Sequence, residues 1–412
     1  MNRVVVTGLG AVSPLGIGVP ALWDGLIAGR SGVRHVQHFD TENLPVKIAA
    51  EVPDFDPKAF MDSKSVRRMD RFAHFAIAGT REALADAKLE ISDENRDRVA
   101  VVMNTGGGGI PTIETNVTAM AKHGPSRVGP LVIPMFAPNM ASSQVSIACG
   151  IQGPTITSAA ACASGVQAFV DAVRLLRAGE ADVAVTGGTE AGITPVALIS
   201  LANMHALSRR NDDPQGASRP FDLERDGFVF GEGAGVLILE TEEHAVRRGA
   251  SVYAEALGGA LTSDAFHLTA PEPSGRGARM AMTNALNRAG MEPHELDYIA
   301  AHATATQIGD IAETLAIKDA LGNHARKVAI SANKSMIGHL LGAAGAISAV
   351  ACVLAIRDGL VPPTINLDHP DSACDLDYVP HVARKLPVRA AMVNGFGFGG
   401  QNASTIFRYF DG

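Results

Sequence analysis

Short apolar runs rich in β-branched residues alternate along the chain with stretches whose apolar positions recur every three or four residues. Residues 3–7, 98–103, 182–186 and 234–240 read as strands, several of them apolar throughout. Runs without alternation predict strands covered on both faces, as in a largely parallel sheet. Residues 72–87 and 165–177 read as amphipathic helices between them. Strands alternating with helices predict a layered α/β architecture.

The same elements recur after about residue 250. Residues 298–302 resemble 100–104, each an apolar run entering small residues and threonine or asparagine. Residues 328–330, then Asn333-Lys334-Ser335 and a Gly/Ala-rich helix, resemble 155–157, then Ala161-Cys162-Ala163 and a helix. Residues 392–394 enter the glycine-rich 395–400, as 183–186 enter Gly187-Gly188. This predicts two similar halves, 1–250 and 251–412, with reactive loops meeting between them. Residues 208–227, rich in Arg, Asp and Pro, read as an ordered excursion.

Composition narrows the class. Hydrophobic residues make up 46% and charged ones 19%, enough for a large core and against disorder. The net charge of −8 disfavours nonspecific nucleic-acid binding, which needs a basic surface. The four cysteines lack metal-type spacing, and so sparse a set fits a reducing, cytoplasmic setting. Glycines and a proline interrupt the N-terminal apolar run, so no signal peptide is expected there. Residues 340–356 are uncharged but short for a membrane span, and read as a helix buried on all sides.

Four segments carry candidate chemistry. Cys162, in Ser158-Ala-Ala-Ala-Cys-Ala-Ser-Gly165, falls at the start of a helix, where the backbone dipole favours thiolate. Read alone, it fits a nucleophile or a small core residue equally well. His302 follows a strand in Ala301-His-Ala-Thr304-Ala-Thr306-Gln-Ile-Gly-Asp310, and alone it fits a pocket or the core. Lys334 and His339, in Asn333-Lys-Ser-Met-Ile-Gly-His339, enter an apolar helix, where both are costly unless paired or used. Phe396 and Phe398, set among glycines 395, 397, 399 and 400, fit a gate or an ordinary turn.

Together these segments resemble the thiolase superfamily, and within it the β-ketoacyl-[acyl carrier protein] synthase II enzymes. The resemblance runs from Val4-Val-Val-Thr-Gly8 to Asn394-Gly-Phe-Gly-Phe-Gly-Gly-Gln-Asn402 and includes Ala206-Leu-Ser-Arg-Arg-Asn-Asp-Asp-Pro214. It implies a duplicated thiolase fold, five-layered αβαβα, in a homodimer. Cys162 would carry an acyl group, and His302 and His339 would stabilise the enolate of a decarboxylating malonyl thioester. Lys334 would keep both imidazoles neutral and pair with Glu313, with Asp310 in support. Backbone N–H groups of Cys162 and Phe398 would form the oxyanion hole. Thr304 and Thr306 would contact a pantetheine arm belonging to the acyl carrier protein. No metal or other cofactor is implied, and no membrane or nucleic-acid partner.

Lys64, Arg67 and Arg68 match the family's carrier-docking positions, although such a run is also an ordinary solvated face. The chain departs from the pattern at Ala303, Asn333 and Gly395, which replace glycine, threonine and serine. Gly107 stands where a larger residue floors the acyl pocket, and predicts a deeper or wider tunnel. Two other classes are weighed. A Cys/His hydrolase has no use for Lys334 and a second histidine, and Gly8-Leu-Gly10 lacks the third glycine of a dinucleotide site. The nearer alternative is a ketosynthase subunit of a polyketide synthase, paired with a chain-length factor.

Overall fold

The computed structural model describes residues 2–412. Its frame is two five-stranded sheets. The first holds β1 Val4–Ser13, β2 Val99–Asn104, β3 Thr155–Ile156, β4 Val183–Glu190 and β5 Gly233–Thr241. The second holds β6 Ala254–Ser263, β7 Tyr298–Ala300, β8 Ala329–Ser331, β9 Ala390–Gly397 and β10 Gln401–Arg408. Their spatial orders are β3-β2-β4-β5-β1 and β8-β7-β9-β10-β6, the same permutation twice. A two-residue antiparallel contact, Val5 with Glu255 and Val6 with Ala254, joins them edge to edge.

The duplication foreseen in the sequence is thus present in the strand order. The direction of the strands differs from expectation. β3, β2 and β4 run parallel, but β5 and β1 are antiparallel, and the second sheet repeats this mixture. The unbroken apolar runs come from helices covering both faces, which strand direction does not dictate.

Helices make the other three layers. α1 Arg71–Asp86 and α2 Met140–Cys149 cover the outside of the first sheet. α4 Arg276–Ala289 and α5 Gln307–Leu321 cover the outside of the second. Between the sheets lie α3 Ser164–Arg177 and α6 Ala344–Asp358, each touching both. The apolar stripe of α3, with Val166, Phe169, Val173 and Leu176, is wholly buried. Each such side chain contributes about 1.5–3 kcal/mol relative to exposure. In α6 every residue from Ala344 to Ile356 is buried, so the stretch apolar enough for a membrane is a core helix.

The middle helices start alike. Ala161–Ala163 form a tight turn before α3, and Leu341–Ala343 form one before α6. Ala161 and Leu341 hold positive φ, 47° and 42°. The structural counterpart of Cys162 is therefore Gly342, eight residues beyond Lys334, with which the sequence aligned it. The short helix Lys334–Ile337 intervenes. Residues 208–227 pack as an ordered excursion. Ser218 donates to the Lys334 carbonyl at 2.6 Å, and Arg225 to the Thr306 and Gln307 carbonyls at 3.1 and 2.8 Å.

Candidate active site

Cys162 occupies the turn between β3 and α3. A positive φ at Ala161 costs roughly 1–2 kcal/mol for a residue with a Cβ. Ser164 holds the turn: its hydroxyl donates to the Ala161 carbonyl at 2.7 Å and accepts the Ala160 N–H at 2.9 Å. Cys162 is 5% exposed. Burial pushes it up to about 12, against Lys334 and the N–H groups of Phe398 and Cys162 itself. The expected position at a helix start is observed, but burial reverses the expected direction of the shift. The resting group is a thiol.

His302 follows β7 in a loop held by carboxylates. Glu313 accepts the His302 and Ala303 N–H groups at 2.8 and 2.7 Å, and the Asn394 amide at 3.2 Å. Ser404 fixes that amide by donating to its oxygen at 2.8 Å. Asp310 accepts the Ala305 N–H at 3.1 Å and the Phe221 N–H at 2.8 Å, tying the excursion to this loop. Ala303 and Ala305 sit at φ 32° and 64°, so the alanine replacing the family's glycine lies where glycine is favoured.

His339 lies across the site with its ring 5.4 Å from that of His302 and nearly perpendicular to it. Phe228 meets His339 edge-on at 5.1 Å, and Phe396 lies 5.6 Å from His302. Burial, with Lys334 adding to it, holds both imidazoles well below their ordinary range and therefore neutral. Both ring nitrogens of His339 are buried without a hydrogen-bond partner among the described residues. Lys334 is brought down to about 8 by burial, with Glu313, Cys162 and Asp310 pulling upward. The direct Lys334–Glu313 pair implied by the resemblance is absent among the described residues. The two act through space, while backbone N–H groups take the Glu313 oxygens.

One cavity of about 500 Å³ joins Cys162, His302, His339, Thr304, Thr306, Glu313, Phe396 and Phe398. Lys334 lies behind this wall. Thr304 and Thr306 hydroxyls pair at 3.1 Å. Gly107 lies outside this lining, and a Cβ there would meet Ile110 Cδ1 at 2.7 Å. Ile110 thus fills the room that the missing side chain would leave. Lys64, Arg67 and Arg68 are exposed on and just after the short helix Ser63–Val66. Arg71, from the same basic run, turns inward instead to Glu232 at 2.7 Å and lies over the Phe75 ring.

The sequence reading missed Glu190, Phe228 and Ser404. Only the fold sets Phe228 on His339. Glu190 ends a strand in a run of small residues and offers no signal of its own.

The model for the "Beta-ketoacyl synthase, N-terminal domain" matches residues 1–245, and that for the "Beta-ketoacyl synthase, C-terminal domain" matches residues 253–368. The chain is 50% identical, over 99% of its length and 98% of the relative's, to 3-oxoacyl-[acyl-carrier-protein] synthase 2 of Synechocystis sp.. Among solved structures, the ishigamide ketosynthase/chain length factor superposes with TM-score 0.93 at 36% identity, over 99% of each chain. A type II polyketide ketosynthase, solved in complex with its acyl-carrier protein and bound to the hexaketide, gives 0.92 at 34%, over 100% of each. The chain belongs to the β-ketoacyl synthase family of condensing acyltransferases and has its thiolase-like fold.

Proposed function

We propose that this enzyme joins an acyl group held on Cys162 to a malonyl unit presented by an acyl carrier protein, lengthening the chain by two carbons. The observation that carries the residue assignments is the facing pair of neutral imidazoles, 5.4 Å apart, on the cavity that holds the free thiol.

In the first step the Cys162 sulfur displaces the carrier's thiol from an acyl thioester, and the Cys162 proton leaves with that thiol. The N–H groups of Cys162 and Phe398, which favour negative charge at the sulfur, receive the oxyanion. In the second step malonyl thioester loses CO₂, and the electrons of the broken bond pass to the α-carbon and thioester oxygen. His302 and His339, held neutral, donate N–H to that oxygen. The unpartnered ring nitrogens of His339 support a donor awaiting substrate. The α-carbon attacks the acyl carbonyl, Cys162 leaves as thiolate and regains a proton, and a 3-oxoacyl carrier thioester departs. Lys334 keeps the imidazoles neutral, Glu313 and Asp310 hold the His302 loop, and Thr304 and Thr306 face the pantetheine arm. That arm belongs to the carrier, so the reading needs no metal or cofactor. Phe396 and Phe398 line the approach to Cys162.

Exposed Val117, Met120, Ile133 and Ile147, on neighbouring segments, support a homodimer formed over this face. The ishigamide neighbour favours a second reading, in which a chain-length-factor paralogue covers that face instead. Four free cysteines fit a cytoplasmic enzyme.

The test is intact-mass spectrometry after incubation with acyl carrier thioester, then with malonyl carrier thioester. We expect an acyl adduct on Cys162 that discharges only with the malonyl partner. An adduct released by water alone, or no adduct, would end this reading. Co-expression with a paralogue separates the two dimer readings.

A further inference from the structure

We propose that Glu190 is a positioning residue: its carboxylate clamps the turn around Cys162 and restrains the thiol's reactivity through its negative charge. The inference rests on Cys162 being the nucleophile.

Glu190 is the last residue of β4 and has no solvent exposure. One oxygen accepts the Gly106 and Gly342 N–H groups at 2.8 and 2.9 Å. The other accepts the Gly107 N–H and the Thr105 hydroxyl, both at 3.2 Å. All four donors are neutral. A buried carboxylate without a cation is costly, and such a group is retained where its geometry is used.

Its partners are the two turns that enclose Cys162. The Thr105 carbonyl accepts from the Ser164 hydroxyl at 3.3 Å, the hydroxyl that also holds Ala161. A Cβ on Gly106 would lie 3.6 Å from the Ala161 carbonyl oxygen, so this backbone packs directly on the turn of the nucleophile. Gly342, the counterpart of Cys162 in the second half, has no room for a side chain. A Cβ there would stand 2.8 Å from the Glu190 oxygen. The carboxylate is the peg into which both turns hook.

The same charge opposes Lys334 at the thiol, since Glu190 is among the groups that raise Cys162. Burial pushes the Glu190 carboxyl up to about 7, so the charge changes within the working range. The titratable neighbours are Cys162 in its turn and Asp70, which holds the far end of the same loop through the Thr112 N–H at 3.0 Å. Lys334 acts on the same thiol in the opposite sense.

The experiment is the rate of Cys162 alkylation by iodoacetamide against pH, read by peptide mass on the full chain and on Glu190→Gln. Removing the charge lowers the thiol's pKa. At about pH 8 the variant should react roughly tenfold faster, as for a shift of about one unit. Below about pH 6, where Glu190 is neutral, the two rates should converge. Glu190→Asp should restore the wild-type profile. A purely structural role predicts the same offset at every pH, and that result, or no offset, overturns the proposal. Should Glu190→Gln not fold, the wild-type profile alone decides. It must inflect near pH 7 as well as at the thiol, and a single inflection refutes the idea. Alkylation needs no carrier protein, so failed acyl loading beside the expected alkylation profile would fault the proposed function, whereas normal acyl loading with no offset would fault this inference alone.

Discussion

Lys334 stands between opposing demands: burial brings its ammonium down to about 8, while Glu313, Cys162 and Asp310 favour the charge. Its effect on the imidazoles is second to burial, and of the same sign. Lys334→Ala removes only that second contribution, so both imidazoles rise towards 6.5 and protonate at higher pH. The acid limb of malonyl-carrier decarboxylation, followed as CO₂ release, should therefore move upward. The wild-type decline above about pH 8 should vanish, and the rate near neutrality should fall about 100-fold. An unchanged profile with a lower rate would mean that Lys334 only fills space. Cys162 and His302 were each ambiguous alone, and their grouping with Lys334 and His339 was legible only through the four segments taken together. The direction of the Cys162 shift was not, because burial by two distant sheets leaves no mark on its neighbours in sequence. Whether the absent side chain of Gly107 opens a tunnel depends on Ile110, whose Cδ1 stands 2.7 Å from where a Cβ would lie, and the sequence does not show that neighbour.

The central helices show how an element's composition sets the site. α3 and α6 cross where Gly165 faces Ala346 and Gly345 faces Val166. A Cβ on Gly165 would stand 2.7 Å from the Ala346 nitrogen and 2.8 Å from the Gly342 oxygen. Both clashes are with backbone, so neither helix yields by a rotamer change. Gly165→Ala should cost about 1–3 kcal/mol, measured by urea denaturation. It should also slow acylation of Cys162, three residues away, more than it weakens carrier binding. A variant with wild-type stability would show that the crossing has slack. At this scale the elements themselves were readable. The β1, β2, β4 and β5 strands overlap the predicted ranges, with β1 running six residues and β4 four residues beyond them, and the apolar stripe of α3 named its own core face. Strand direction was not readable, because a strand between two helix layers is apolar throughout whether its neighbours are parallel or antiparallel. The repeat was visible, but its register was misread. Lys334–Ile337 is extra in the second half, and a glycine now occupies the nucleophile's place.

Across the whole molecule the charge of −8 conceals local structure. Lys64, Arg67 and Arg68 are exposed together, while Arg71 is withdrawn to Glu232. Of this run only the first three remain to meet an acidic partner. Exposed charges of this kind act over about 8–10 Å in physiological salt and govern encounter more than chemistry. Lys64→Glu, Arg67→Glu and Arg68→Glu combined should raise KM for acyl carrier protein about tenfold or more at low salt and leave kcat unchanged. Added salt should weaken the wild-type enzyme and narrow the gap, because screening removes attraction in one and repulsion in the other. A short pantetheine thioester brings no carrier surface, so the triple variant should use it as the wild type does. Equal losses on both substrates would instead place the damage in the Asp62-capped helix and the packing beneath it, and the exposed cations would then be an ordinary solvated face.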